Sequence, residues 1–98
     1  MVARVWRGRV RAADLPAYRA YVMGTGLRDY KATAGNCGAY IFTQTLGDEG
    51  HVMTLSFWDS YQAISLFAGQ DIAAARYYPE DERFLLDFPE RVEHWEVG

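Results

Sequence analysis

Two runs of residues, "AYIFTQTL" at 39–46 and "HVMTLSFW" at 51–58, flank the short segment "GDEG". Both runs are rich in β-branched and aromatic side chains, which suit a pleated, half-buried surface. A glycine-bearing link of that length suits an antiparallel hairpin. Side chains alternate across a strand, so Tyr40, Phe42 and Gln44 share one face while Ala39, Ile41 and Thr43 share the other. Each set is partly apolar. A sheet with apolar groups on both faces needs cover on both, and that requirement limits the folds open to this chain more than any other feature.

The remaining segments supply cover for one face. Residues 3–11 alternate loosely, with Val5, Trp6 and Val10 among arginines, and read as a first strand. "AADLPAYRAYVMGTG" then carries the marks of a helix: Asp14 to cap free backbone N–H groups, Pro16 in the first turn, and Leu15, Tyr18 and Val22 on one face. Gly24 and Gly26 are expected to weaken or end it, and "GNCG" at 35–38 is turn chemistry. After the hairpin the period becomes helical at "WDSYQAISLFAG", where Asp59 or Ser60 caps, Ala63, Ile64 and Phe67 form a stripe, and Gly69 ends the helix. A short helical turn is expected from Asp71 to Ala75, and "RVEHWEV" alternates as a last strand. The order β-α-β-β-α-β is that of a ferredoxin-like α+β fold, whose four-stranded antiparallel sheet carries both helices on one face. With 98 residues there is room for one domain, 1–98, and one thin core. The second sheet face is left for another copy, so a homodimer joined through sheet faces is expected.

Half the residues are apolar and 15% aromatic, too hydrophobic for a disordered chain, and no apolar run nears the roughly 20 residues that cross a bilayer. "MVARVWRGRVR" lacks the continuous apolar stretch of a signal peptide, so a cytoplasmic location without membrane contact is expected. Cys37 is the single cysteine, which excludes an internal disulfide; in a tight turn without a basic neighbour it is expected to be inert. The net charge of −3 divides into +5 over residues 1–31 and −8 over the rest. No nucleic-acid module accompanies the basic end, so no nucleic-acid partner is expected. The first-strand arginines are instead expected to pair with acids of "PERVEHWEV", across the sheet or between subunits. Two histidines far apart and no Gly-rich phosphate loop leave no cofactor or metal motif.

Most candidate site residues lie in the second half of the chain, joined by two from the first strand. "RYYPED" at 76–81 places two large phenols before Pro79, which fixes its own φ and restricts Tyr78. Tyr77 and Tyr78 then read as a rigid aromatic lip, either over a pocket or at a dimer contact. Consecutive residues of an extended segment point to opposite sides, so at least one hydroxyl is expected at the pocket mouth or in solvent. Phe67 completes the helix stripe, as core or as pocket wall. Arg4 and Trp6 share one face of the first strand and Val5, Arg7 and Arg9 the other; if the Arg4 face meets the helices, Arg4 can stabilise a phenolate. His94, between Glu93 and Trp95, can act as a base near neutral pH or simply be hydrogen-bonded in the sheet. His51, at the hairpin, is expected to be exposed and uninvolved.

The segments "WRGRV", "SFWDS", "FAGQD" and "YYPED", with "VEHWEV" at the end, resemble the antibiotic biosynthesis monooxygenase family of dimeric α/β barrel proteins, over essentially the whole chain. The resemblance implies that fold and a pocket between helices and sheet. It also implies a candidate activity, cofactor-independent oxidation of a polycyclic phenol to a quinone, which would make the chain an oxidoreductase; for that reaction the residue pattern itself offers Tyr77 and His94, with the family-matched Trp58, as catalytic candidates and Arg4, Trp6, Phe67 and Tyr78 as substrate contacts. Trp58 matches the family's tryptophan at the end of the third strand, although no partner asparagine can be placed; Thr54 and Ser56 are the polar groups on its face. The haem-degrading branch carries a first-strand asparagine, a tryptophan in the second helix and a haem-ligating histidine. Those positions fall here on a first strand without asparagine, on Phe67 and on Tyr77, so haem degradation is not expected. The alternative is a dimeric ligand-binding or stress-response domain without catalysis.

Overall fold

A computed structural model describes every residue, Met1–Gly98. Strand β1 (Val2–Arg11) leads through a 3-10 turn into helix α1 (Leu15–Gly24), then α2 (Gly26–Ala32), strands β2 (Asn36–Leu46) and β3 (Glu49–Trp58), helix α3 (Tyr61–Ala68), the single turn α4 (Asp81–Phe84) and strand β4 (Glu93–Glu96). The sheet is antiparallel in the order β2-β3-β1-β4, the ferredoxin-like arrangement. Its hairpin closes with Leu46 opposite Glu49 around Gly47, whose φ of 63° is one that glycine adopts without steric cost.

Two local expectations are corrected, and a third, the helix break at Gly24 and Gly26, holds with an addition. Asp14 forms no side-chain cap; its carboxylate is taken by Arg11, 3.0 Å away. The glycines at 24 and 26 break the helix without ending the helical region: Thr25, at φ −120° and ψ −90°, turns the chain, and α2 resumes because Leu27 and Tyr30 find buried places in the core. Asp71–Ala75 is a turn followed by a bridge of Ala74 to Arg91, with Ala75 N–H donating to Glu90 and Val92 N–H to Ala73. Those ladder bonds outweigh the local helical preference of the alanines. Helix α3 behaves as read, with Ser60 Oγ accepting the Ala63 N–H at 3.1 Å and Gly69 beyond its end at φ 85°.

Register settles the faces. Val2, Arg4, Trp6 and Val10 of β1 lie opposite Trp58, Ser56, Thr54 and Gly50 of β3, and all of these are buried beneath the helices. Two apolar clusters result. One gathers Val2, Leu27, Tyr30, Ala39, Ile64 and Phe67 around Trp58; the other gathers Val10, Tyr18, Val22, Val52, Phe84 and Leu85 around Trp6. Gly8 lets the Trp6 ring lie flat on β1, since a Cβ there would stand 2.4 Å from Trp6 Cη2. The opposite face is open: Tyr40, Phe42, Trp95 and Val97 are exposed, with Met53, Leu55 and Phe57 half-buried beside them. The β1 arginines find acids within the chain, Arg7 with Glu93 and Arg9 with Glu49 and Asp87. No helix is long and apolar enough to cross a membrane.

Candidate functional site

A cavity lies where the two clusters meet. Trp6, Val22, Tyr30, Tyr77, Tyr78 and Val92 give it a largely aromatic wall, and Arg4, Arg76 and Asp81 bring charge to it, with Thr25 and Thr54 between. Its mouth is where lining residues meet solvent, at Arg76, which is exposed, and at Thr25, Gly26, Tyr77 and Tyr78, which are half-buried. The free volume is about 30 Å³. That holds a water or two, whereas pockets for drug-sized ligands run to about 300–1,000 Å³. Its own side chains fill most of it, leaving a narrow space that reaches solvent at the mouth.

Arg4 forms the floor. Its side chain is 2% exposed, and its guanidinium donates to the carbonyls of Ile72 and, at 3.2 Å, Ala74. Nη1 also lies 3.2 Å from His94 Nε2. A guanidinium can only donate, so Nε2 accepts and the imidazole proton sits on Nδ1. The Nε of Arg4 has no partner. Burial lowers its pKa, with Tyr30 opposing. Ion pairs form throughout the molecule, but neither Arg4 nor Arg76 belongs to one. Arg76 donates to the Phe67 carbonyl at 3.1 Å and lies over the rings of Phe67 and Tyr78, 4.8 and 5.2 Å from their centroids.

The lip is fastened at three points. Tyr77 Oη donates to the Pro89 carbonyl and accepts from Trp6 Nε1 at 3.4 Å. Tyr78 Oη donates to Asp29 at 2.6 Å. The Asp81 carboxylate, 4% exposed, accepts the Tyr78 N–H at 2.7 Å and the Tyr18 hydroxyl at 2.8 Å. Both lip rings line the cavity, contrary to strand-like alternation, because residues 76–78 have no regular structure and the chain turns at once into a bond from Asp81 N–H to the Tyr78 carbonyl. Burial raises the pKa of Tyr77; burial and then the bond to Asp29 raise that of Tyr78. Near neutral pH both phenols are donors, not bases.

The other expected residues are spread more widely. Trp6 reaches the cavity wall. Trp58 is 0% exposed, donates Nε1 to Ser56 Oγ at 2.9 Å and lies in the core without lining the cavity. Phe67 packs on Trp58 and Tyr30 and carries Arg4 and Arg76 near its ring. His94 stands behind Arg4 and also does not line the cavity; burial and then Arg4 lower its pKa. The sequence pattern gave no role to Tyr30 or Arg76 and did not place Asp81 in a cavity wall. Its one available signal was charge: Arg76 and Asp81 flank the two lip tyrosines. Cys37 is exposed and donates to Asp59 at 3.1 Å, a bond that pushes the thiol pKa up.

A larger hollow of about 580 Å³ lies on the open sheet face, bounded by Arg7, Arg9, Phe42, Gln44, His51 and Met53. Its arginines are already paired with acids, so it offers no free charge to a ligand.

The molecule is thus a ferredoxin-like α+β domain with a narrow, aromatic-walled cavity between sheet and helices. An uncharacterised NIPSNAP domain protein from Burkholderia xenovorans has the same fold, with a TM-score of 0.65 and 18% identity over 100% of this chain and 95% of that one. A structure described as a putative antibiotic biosynthesis monooxygenase from Bacillus cereus matches at a TM-score of 0.56 and 14% identity, over 97% of this chain and 87% of that one. The resemblance to that family holds as a likeness of fold. No protein-family model and no curated protein matches the chain.

Proposed function

We propose that the protein binds a small aromatic ligand, as its anion, in the cavity between sheet and helices, and that it works as a homodimer joined through the open sheet faces. The observation that carries this reading is Arg4, a guanidinium 2% exposed, without a carboxylate partner, on the wall of an aromatic-lined cavity. Removing an uncompensated charge from water costs several kcal/mol. An anion about 4 Å away recovers about 4 kcal/mol at an effective dielectric of about 20. The ring preference follows from Trp6, Tyr30, Tyr77 and Tyr78. Because the resting cavity is too small for a ring, the ligand enters as a lip side chain leaves, and its ring takes the space that a tyrosine ring gives up. One or two fused rings suit that exchange better than the larger polycyclic phenols.

A second reading is cofactor-free oxidation of the bound phenol. A phenolate in a site with little room for water is electron-rich, and a fold shared with a protein described as a putative monooxygenase adds weight. In that reaction dioxygen adds to the ring carbon that becomes the new carbonyl. One oxygen atom stays there, the other leaves as water, and the substrate supplies all four electrons.

Calorimetric titration with a panel of naphthols, anthrones and their carboxylated forms tests binding. Saturable binding by at least one panel member is expected, and no binding by any would overturn the first reading. Dioxygen uptake with the same panel, comparing wild type with Tyr77→Phe and His94→Ala, tests the second. Uptake above the uncatalysed rate that falls in either variant supports oxidation; binding without uptake leaves a binding domain.

A further inference from the structure

We infer that the ligand's anionic group is a carboxylate held jointly by Arg4 and Arg76, so that the cavity takes hydroxylated aromatic acids. This rests on the binding reading above and specifies the ligand class for it. Arg4 and Arg76 approach the same Phe67 ring, 5.7 and 4.8 Å from its centroid, one buried in the floor and the other exposed at the mouth. Both line the cavity and neither is paired with an acid, whereas Arg7, Arg9, Arg11, Arg83 and Arg91 all are.

Number and geometry select the group. A phenolate presents a single oxygen and is met by one guanidinium, whereas a carboxylate presents two coplanar oxygens that match guanidinium forks. The unpartnered Nε of Arg4 supplies a donor that the protein itself does not use. Charge selects the rest of the molecule. Asp81 is the single acid in the wall, so with two arginines the site is net +1 and suits a monoanion better than a phosphate dianion. Each Asp81 oxygen already accepts one bond, from Tyr18 or Tyr78, and keeps a second acceptor position. That position fits the O–H of a phenol whose carboxylate faces the arginines. Arg76, standing at the mouth, meets the acid first and releases the Tyr78 ring as it turns inward.

The test compares hydroxynaphthoate, naphthol and cyclohexanecarboxylate by calorimetry at neutral pH, using wild type, Arg76→Gln and, as a control, Arg19→Gln, which changes an exposed arginine outside the cavity. Hydroxynaphthoate should bind wild type at least about tenfold more tightly than either other compound. Its advantage over naphthol should disappear in Arg76→Gln and persist in Arg19→Gln. Equal affinity for naphthol and hydroxynaphthoate, or an advantage that survives Arg76→Gln, overturns the carboxylate assignment and leaves aromatic binding standing. If neither aromatic binds, both readings fall. Arg76→Gln gives up a bond to Phe67 and contacts with two rings, so thermal unfolding is used to confirm that the variant is folded at the titration temperature.

Discussion

Arg4 and His94 meet across neighbouring strands, and their contact has a consequence for titration. Burial and the adjacent guanidinium hold the imidazole below its ordinary value of 6.5. The folded state therefore resists protonating His94 more than the unfolded chain does. Any stability this contributes is fully present above about pH 6.5 and is lost as pH falls through the depressed folded value. NMR titration should find the His94 midpoint below 6.5, and His94→Gln should flatten the dependence of the urea midpoint on pH over that acid window. A midpoint at or above 6.5 would remove Arg4 as its neighbour in solution. The residue pattern made this pair only half legible. Arg4 and Trp6 share a strand face, as alternation requires, but β1 carries apolar groups on both faces, and only pairing with β3 and β4 decides which one turns toward the helices. Trp58 conveyed less: its position at a strand end was evident, while its burial depends on α2 and α3 closing over it.

At the scale of elements, the strands and helix α3 were readable because alternation, a serine cap and a terminal glycine all agreed. The path around the cavity was not, because tertiary partners decide it. Helix α2 depends on Leu27 and Tyr30 finding the core, and residues 72–75 depend on pairing with 90–92. The lip, which follows residues 72–75, is tied to α2 through the bond from Tyr78 Oη to Asp29. Tyr78→Phe removes that bond and keeps the ring. A hydrogen bond of net worth about 0.5–1.5 kcal/mol corresponds to roughly two- to tenfold more frequent local opening. Hydrogen exchange of the lip amides, including the Asp81 N–H, should accelerate by about that factor, with strand β3 unaffected. Unchanged lip exchange would mean that Tyr77 and Asp81 hold the segment by themselves and that Tyr78 is not its latch.

For the whole molecule, the partly apolar sets on both sides of β2 foreshadowed a sheet with one uncovered face, and helices do cover only the side that carries Ala39 and Trp58. The other side offers Tyr40, Phe42 and Trp95 around Met53, Leu55 and Phe57, a continuous surface across all four strands. Arg7 and Arg9, with Glu49, Asp87 and Glu93, satisfy one another within the chain. Association through this face would therefore draw on apolar burial, with about 800 Å² per partner expected of a stable dimer, and only weakly on charge pairing. Sedimentation should report twice the 11.2 kDa chain mass, with an association constant that changes little between low and high salt. Leu55 sits near the middle of the face, and Leu55→Asp should give a monomer that keeps its circular dichroism and its cavity. If wild type sediments as a monomer, or if Leu55→Asp remains dimeric, the sheet face is not the seam. If salt dissociates the dimer, the paired charges at the rim contribute more than their contacts within one chain account for.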